Sequence, residues 1–76
     1  MRVYQKALEY QNKALQLAKK SDLKMDMAAS YLELGGIYLD KDDYENSWFN
    51  YSKTLEYLPY IEDQMFVAYL YNNISA

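Results

Sequence analysis

Shifting this sequence against itself by 40 residues places apolar or small positions on one another in two helix-length stretches. Within each stretch the matches recur mostly every three, four or seven positions, which is the spacing of one face of an α-helix. A helix pair cannot bury such a face alone, so the repeat predicts stacked helix pairs with the matched residues inside. The matched pairs are Tyr4 and Tyr44, Ala7 and Ser47, Leu8 and Trp48, Ala14 and Thr54, Leu15 and Leu55, Leu17 and Tyr57, Ala28 and Ala68, Tyr31 and Tyr71, Leu34 and Ile74, and Gly35 and Ser75.

The periodicity predicts an all-α fold of four helices, over residues 3–19, 23–40, 43–58 and 60–75. Short connections make consecutive helices antiparallel neighbours. Each helix has an apolar or small stripe that we expect to face inward. The stripes are Tyr4, Ala7, Leu8, Gln11, Ala14, Leu15 and Ala18; Met27, Ala28, Tyr31, Leu34, Gly35 and Tyr38; Tyr44, Ser47, Trp48, Tyr51, Leu55 and Leu58; and Ile61, Met65, Ala68, Tyr71, Ile74 and Ser75.

Polar residues and proline predict where these helices begin and end. Ser21 or Asp22 is expected to cap the second helix, and Asp42 with Glu45 forms a capping box for the third. Pro59 ends the third helix. Gly35 and Gly36 lie inside the second helix, where glycine is unfavourable, so we expect another helix or a ligand to approach the backbone closely there.

Composition excludes several functional classes. The chain has no cysteine and no histidine, so the commonest general base and zinc ligand are absent. The charged N-terminus and the lack of a long apolar run argue against a signal peptide or membrane span and favour the cytoplasm. The net charge of −3 argues against nucleic-acid binding by this segment.

Charge is nevertheless uneven along the chain. Residues 1–24 carry six basic and two acidic side chains, whereas residues 25–76 carry two basic and nine acidic ones. One interpretation is two solvated faces of opposite sign. The other interpretation is that the basic surface of residues 1–24 contacts an acidic neighbour, either in a longer array or in a second copy of the chain.

One run of residues resembles the tetratricopeptide repeat (TPR) family, because it follows the family spacing. The resemblance implies a right-handed α-α superhelix, with 1–20 as the second helix of a partial repeat, 23–59 as a complete helix pair and 60–76 as a further first helix. The 40-residue repeat is similar to the longer repeats of bacterial regulatory TPR proteins. Ser47, Thr54, Gln11 and Ser75 depart from the family pattern. The residues that carry the resemblance are Tyr31, Leu34, Gly35, Tyr38, Tyr44, Ser47, Tyr51 and Pro59.

The resemblance implies a scaffold that binds a protein or peptide in a groove lined by the first helix of each repeat. An alternative is a peptide-sensing or dimerisation segment of a bacterial transcription regulator or signalling kinase. The plain alternative for the groove residues is that Leu32 and Leu39 pack on a neighbouring repeat and that the two asparagines are solvated. The implied groove residues are Ala29, Leu32, Gly36, Leu39, Asp40, Tyr69, Asn72, Asn73 and Ala76.

Other patterns favour structural roles. We interpret the acids at Asp40, Asp42, Asp43 and Glu45 as a turn with a helix cap rather than a calcium site. We expect the tyrosines and Trp48 to form core rather than a ligand cage. We therefore expect no catalysis, cofactor, metal site or membrane contact. The repeat frame opens and closes in mid-repeat, so we also expect a fragment of a longer array or self-association through the open ends.

Overall fold

The computed structural model describes residues 3–75, which form four α-helices and one 3₁₀ turn and contain no strand. The helices are α1 (Tyr4–Ser21), α2 (Lys24–Asp40), α3 (Tyr44–Tyr57) and α4 (Gln64–Ser75), and the 3₁₀ turn covers Leu58–Tyr60. The all-α prediction is therefore confirmed. None of the helices within this part of the chain combines the length and apolarity needed to cross a bilayer.

The first three helices begin and end within two residues of the predicted positions, but α4 begins four residues later than predicted. Pro59 lies in the 3₁₀ turn, and Ile61 after it is extended, with φ −108° and ψ 116°. Asp63 then accepts hydrogen bonds from the backbone N–H groups of Met65 and Phe66, at 3.1 and 3.2 Å. The carboxylate satisfies two of the free donors at the start of α4, which determines where the helix begins.

The turn between α1 and α2 differs from the prediction, because neither Ser21 nor Asp22 caps α2. Asp22 instead ends α1 in the left-handed conformation, with φ 54°. Its backbone N–H donates to the Lys19 carbonyl at 3.2 Å, and its carboxylate pairs with the Lys24 ammonium at 2.7 Å. The N-cap position of α2 is Leu23, whose side chain makes no capping bond.

The turn between α2 and α3 uses its acids for capping, one residue later than predicted. Asp42 has a positive φ of 62° and precedes the cap. Asp43 is the N-cap residue, and its carboxylate accepts from the Asn46 backbone N–H at 3.3 Å and from the Asn46 side-chain amide at 2.8 Å. The assignment of these acids to a turn and a helix cap is confirmed, with Asp43 in place of Asp42.

Helix α2 is central and packs against α1 on one side and α3 on the other. The Tyr4 hydroxyl donates to the Asp40 carbonyl at 3.1 Å, so α1 and α2 run antiparallel. The inward stripes of both helices are as predicted. One core cluster joins α1 and α2, and the Tyr57 ring stacks on Tyr31 at its edge with centroids 5.9 Å apart. Its buried members are Leu15, Ala18, Met27, Tyr31 and Leu34.

Helix α4 lies against α2. The inward stripe predicted for the fourth helix is correct at Ile61 and Ile74 but wrong at three positions between them. Met65, Ala68 and Tyr71 are exposed, whereas Leu70 is fully buried. Leu70 joins Ala28, Leu32 and Ile61 in a second core cluster, which Phe66, Val67 and Ile74 also contact. These large apolar residues of α4 all lie on one side of the helix, so the rotation that buries them places the smaller Ala68 on the surface.

The prediction that Trp48 is core is also wrong, since its side chain is 67% exposed. Tyr44 and several other tyrosines are exposed as well. Helix α3 faces α2 through the smaller residues Ser47, Asn50 and Thr54, all of which are buried. Because α4 lies against α2, it leaves Trp48 on the outer side of α3 uncovered within residues 3–75.

Candidate functional site

A cleft of about 370 Å³ lies between α2 and α4, with one residue of α3 at its base. Five of the predicted groove residues line it. The lining residues are Leu32, Glu33, Gly36, Ile37, Leu39, Asp40, Tyr51 and Asn73.

Gly35 is the residue that brings Tyr51 to this cleft. A Cβ atom built on Gly35 would lie 2.6 Å from both Cδ1 and Cε1 of the Tyr51 ring, closer than side chains pack. The close approach of another helix, predicted from the glycine, is therefore confirmed. Gly36 has more space, since its Cβ would lie 3.8 Å from the Tyr51 hydroxyl oxygen. Gly36 thus leaves that hydroxyl reachable from the cleft.

Two buried hydroxyls hold α3 against α2. Ser47 donates from its hydroxyl to the Gly35 carbonyl at 2.9 Å. The Thr54 hydroxyl lies 3.4 Å from the Ala28 carbonyl oxygen and 3.1 Å from that of Asn50 in its own helix. Both hydroxyls therefore have a structural role, because each satisfies a backbone oxygen across or along the interface.

The cleft is electronegative. Glu33 and Asp40 line it, and no lysine or arginine is among its lining residues. The pKa of Tyr51 is raised, chiefly because partial burial disfavours the phenolate and secondarily because Asp40 and Glu33 repel its charge. Tyr51 therefore remains a neutral phenol that can donate a hydrogen bond beside two carboxylates. Such a surface is suited to a cation next to an apolar group.

The other predicted groove residues lie elsewhere. Tyr69 and Asn72 are exposed on α4 outside the cleft, and the Tyr69 ring stacks on Phe66 with centroids 6.0 Å apart. Ala29 lines a different cleft, between α1 and the start of α2. Leu32 lines the cleft but is only 4% exposed and packs in the cluster around Leu70, as the plain interpretation as a packing residue predicts, whereas Leu39 is 45% exposed. Ala76 lies outside the described residues.

Sequence reasoning missed Glu33 and Ile37 as lining residues. Together with Gly36 and Asp40 they follow the spacing i, i+3, i+4, i+7, which places them on one face of α2. That periodicity is the signal in the sequence that could have identified both residues. The contribution of Tyr51 was not available in this way, since it depends on how closely α3 approaches α2.

Burial separates the residues that carry the TPR resemblance into two groups. Buried and half-buried members form the contacts of α2 with α1 and α3. Tyr44 is exposed at the start of α3, and Pro59 is exposed in the 3₁₀ turn that follows the helix. The buried or half-buried members are Tyr31, Leu34, Gly35, Tyr38, Ser47 and Tyr51.

A second cleft, of about 420 Å³, lies between α1 and α3 over the middle of α2, and sequence reasoning missed it. Its polar lining consists of amide and lysine side chains, including Asn12 and Gln16 of α1 and Asn46 and Lys53 of α3.

Among residues 3–75, no group of three or more acidic side chains is arranged to hold a metal ion. No known protein family matches the chain, and the comparisons with curated proteins and with solved structures also gave no match.

Proposed function

We propose that this chain is a protein-interaction segment that binds an extended peptide in the cleft between α2 and α4. The observation that carries the proposal is the convergence of Gly36, Leu39, Asp40 and Asn73 on one cleft. A peptide laid across Gly36 approaches the α2 backbone without meeting a side chain. It also reaches the Tyr51 hydroxyl, which is a hydrogen-bond donor and acceptor for its backbone.

The chemistry of the lining suggests which peptides bind. Ile37 and Leu39 offer apolar surface beside the carboxylates of Glu33 and Asp40. A lysine or arginine next to an apolar side chain complements both, because the cation meets acids while the neighbour buries apolar area. We propose such a basic-apolar pair as the recognised element, with ionic-strength-dependent affinity.

The proposal includes a TPR-like arrangement of the helices. In its favour are the antiparallel pairing of α2 with α3, the close contact of Gly35 with Tyr51, and the position of the cleft between two alternate helices. In arrays of this kind, alternate helices line the concave surface. The open cleft between α2 and α4 also supports binding rather than catalysis, because a shallow groove suits an extended peptide.

The test uses a library of short peptides that vary in charge and apolar content, with binding followed by amide chemical shifts of the isotope-labelled chain. Lysine- or arginine-containing peptides are expected to shift the backbone signals of Gly36, Leu39 and Asn73 first. Substitution of Gly36→Leu fills the cleft without a close contact at its Cβ, so it is expected to abolish these shifts. Asp40→Asn is expected to weaken the basic peptides selectively.

The matched control is Trp48→Ala, which removes a large exposed side chain from the far side of α3. It is expected to leave peptide affinity unchanged. Peptide-induced shifts that persist in Gly36→Leu, or that map to α1 and α3 alone, would contradict the proposal.

A further inference from the structure

Helix α1, together with its N-cap residue Val3, has a second row of apolar side chains that its core contacts do not use. Val3, Tyr10 and Leu17 recur every seven residues and are all exposed, Leu17 by 67%. A row with this spacing follows one line along a helix. On one side it is bordered by three exposed lysines with the same spacing. These lysines are Lys6, Lys13 and Lys20.

On the other side of this row, small residues create room for a partner side chain. Ala7 and Ala14 lie beside it at the same seven-residue spacing and are half-buried. A cleft of about 370 Å³ opens there between α1 and the start of α2, with Ala14, Leu17 and Ala29 in its lining. We call the surface of Val3, Tyr10, Leu17, Ala7 and Ala14 the α1 outer face. Its shape suits another helix that projects large apolar side chains between the alanines.

Helix α4 also has an uncovered row, opposite the one that packs on α2. Met65, Ala68, Tyr69 and Asn72 have the spacing of one helix face and are exposed, Met65 by 85%. We call these four residues the α4 outer face. The helix contains no charged residue between Gln64 and Ser75, and Glu62 and Asp63 immediately precede it. None of the four residues lines the cleft between α2 and α4.

The internal repeat relates these two faces to a contact that the molecule already makes. At the 40-residue offset, Ala14 of α1 corresponds to Thr54 of α3, and Ala68 of α4 corresponds to Ala28 of α2. Thr54 and Ala28 are completely buried against each other, with the Thr54 hydroxyl directed at the Ala28 carbonyl.

Two more correspondences extend this relation. Ala7 corresponds to Ser47 and Leu17 to Tyr57, both of which pack in the α2–α3 region. Helices α1 and α4 thus carry, at exposed positions (Leu17, Ala68) and half-buried positions (Ala7, Ala14), the counterparts of residues that pack between α3 and α2. We propose that the α1 outer face of one copy docks on the α4 outer face of a second copy, antiparallel and head to tail.

Charge favours this occupant over others. Antiparallel docking brings the end of α1, with Lys19 and Lys20, toward Glu62 and Asp63 at the start of α4 in the second copy. Residues 1–24 have a net charge of +4, whereas residues 25–76 have −7, so the copies attract in this orientation. Pairing of α1 with a second α1 would instead set two lysine rows side by side, which is repulsive.

A head-to-tail contact uses two different surfaces, so it propagates into open chains or closes into rings rather than stopping at a symmetric dimer. The test exploits this property with two variants of the whole chain. Leu17→Lys disables the α1 outer face, and Ala68→Arg disables the α4 outer face. Both residues are exposed, so both variants are expected to keep the wild-type circular dichroism spectrum.

Sedimentation velocity over a wide concentration range measures the assembly. The wild-type chain is expected to form species beyond the dimer, and each variant alone is expected to associate roughly tenfold or more weakly. An equimolar mixture of the two variants is expected to form a dimer and nothing larger, because each variant retains one intact face. Trp48→Lys is the matched control: Trp48 has the same exposed fraction as Leu17 and lies outside both faces, so assembly should be unchanged.

A charge exchange provides an independent measurement. Lys20→Glu is expected to weaken assembly, and combining it with Glu62→Lys in the same chain is expected to restore it, with both effects reduced by salt. A wild-type chain that stays monomeric at the highest concentration would overturn the proposal. So would assembly that Leu17→Lys and Ala68→Arg leave intact, or a mixture of the two that fails to form dimers.

Discussion

Helix α2 contacts α3 and α4 in two different ways. Against α3 it offers Gly35 and two carbonyl groups, which receive the Tyr51 ring and the hydroxyls of Ser47 and Thr54. Against α4 it offers Ala28 and Leu32, which meet the side chain of Leu70. The first contact combines close backbone approach with directional hydrogen bonds, whereas the second is an apolar contact without a hydrogen bond between the two helices in the described chain.

The difference shows what fixes the rotation of a packed helix. A hydroxyl that must reach one particular carbonyl, or a ring that fits only over glycine, permits a single rotation of α3. Apolar burial has no direction, so α4 turns to whichever rotation buries the most apolar area. That is why Leu70 rather than Ala68 faces α2, although the repeat pairs Ala68 with the buried Ala28.

The largest effect is expected from Leu70→Ala, which tests the apolar contact of α4. Leu70 is fully buried, and truncating a buried leucine typically costs about 2–5 kcal/mol of unfolding free energy. Urea denaturation followed by circular dichroism measures the change. Met65→Ala on the same helix is the control, since an exposed side chain typically changes stability by about 0.5 kcal/mol or less. Equal effects of the two variants would mean that α4 is rotated differently.

Next in size is a pair of substitutions in α2 that tests the close approach of α3. Gly35→Ala places a methyl group against the Tyr51 ring and is expected to destabilise by about 1–3 kcal/mol. Gly36→Ala meets only ordinary contact and should stabilise by up to about 1 kcal/mol, because alanine favours the helix. Thermal unfolding of both variants measures these opposite changes in stability. A stabilised Gly35→Ala would show that Tyr51 does not lie over Gly35.

The smallest effect concerns the cap that begins α3. Asn46, through its side-chain amide first and its backbone N–H second, lowers the pKa of the Asp43 carboxyl below its ordinary value. Ionised Asp43 therefore stabilises the fold above the ordinary aspartate pKa. The contribution is lost as pH falls through the lowered pKa of the folded state. Asp43→Asn keeps a capping oxygen but does not titrate.

Melting temperatures of both chains from neutral pH to about pH 3 isolate this contribution from that of the other acids. The wild-type chain is expected to lose more stability than Asp43→Asn over the acidic part of the range. Parallel melting curves for the two chains would contradict an ionised cap at Asp43.

The candidate cleft was predicted only in part, for a definable reason. Gly36, Leu39 and Asp40 share one helix, so helical geometry alone places them near one another. Asn73 joins them through the packing of α4, and Tyr51 joins through the packing of α3. Tyr69 and Asn72 were predicted to join as well, but the rotation of α4 leaves them outside the cleft.

Local sequence determined the helices of this protein, because capping, proline geometry and apolar spacing act over a few residues. It also determined that α2 must be approached closely, since glycine inside a helix has few other uses. Only the tertiary structure decided which aromatic residues are buried and how α4 is turned. Trp48 and Tyr71 have the spacing of core residues, but a side chain is buried only where another element covers it, and that depends on the packing of the whole chain.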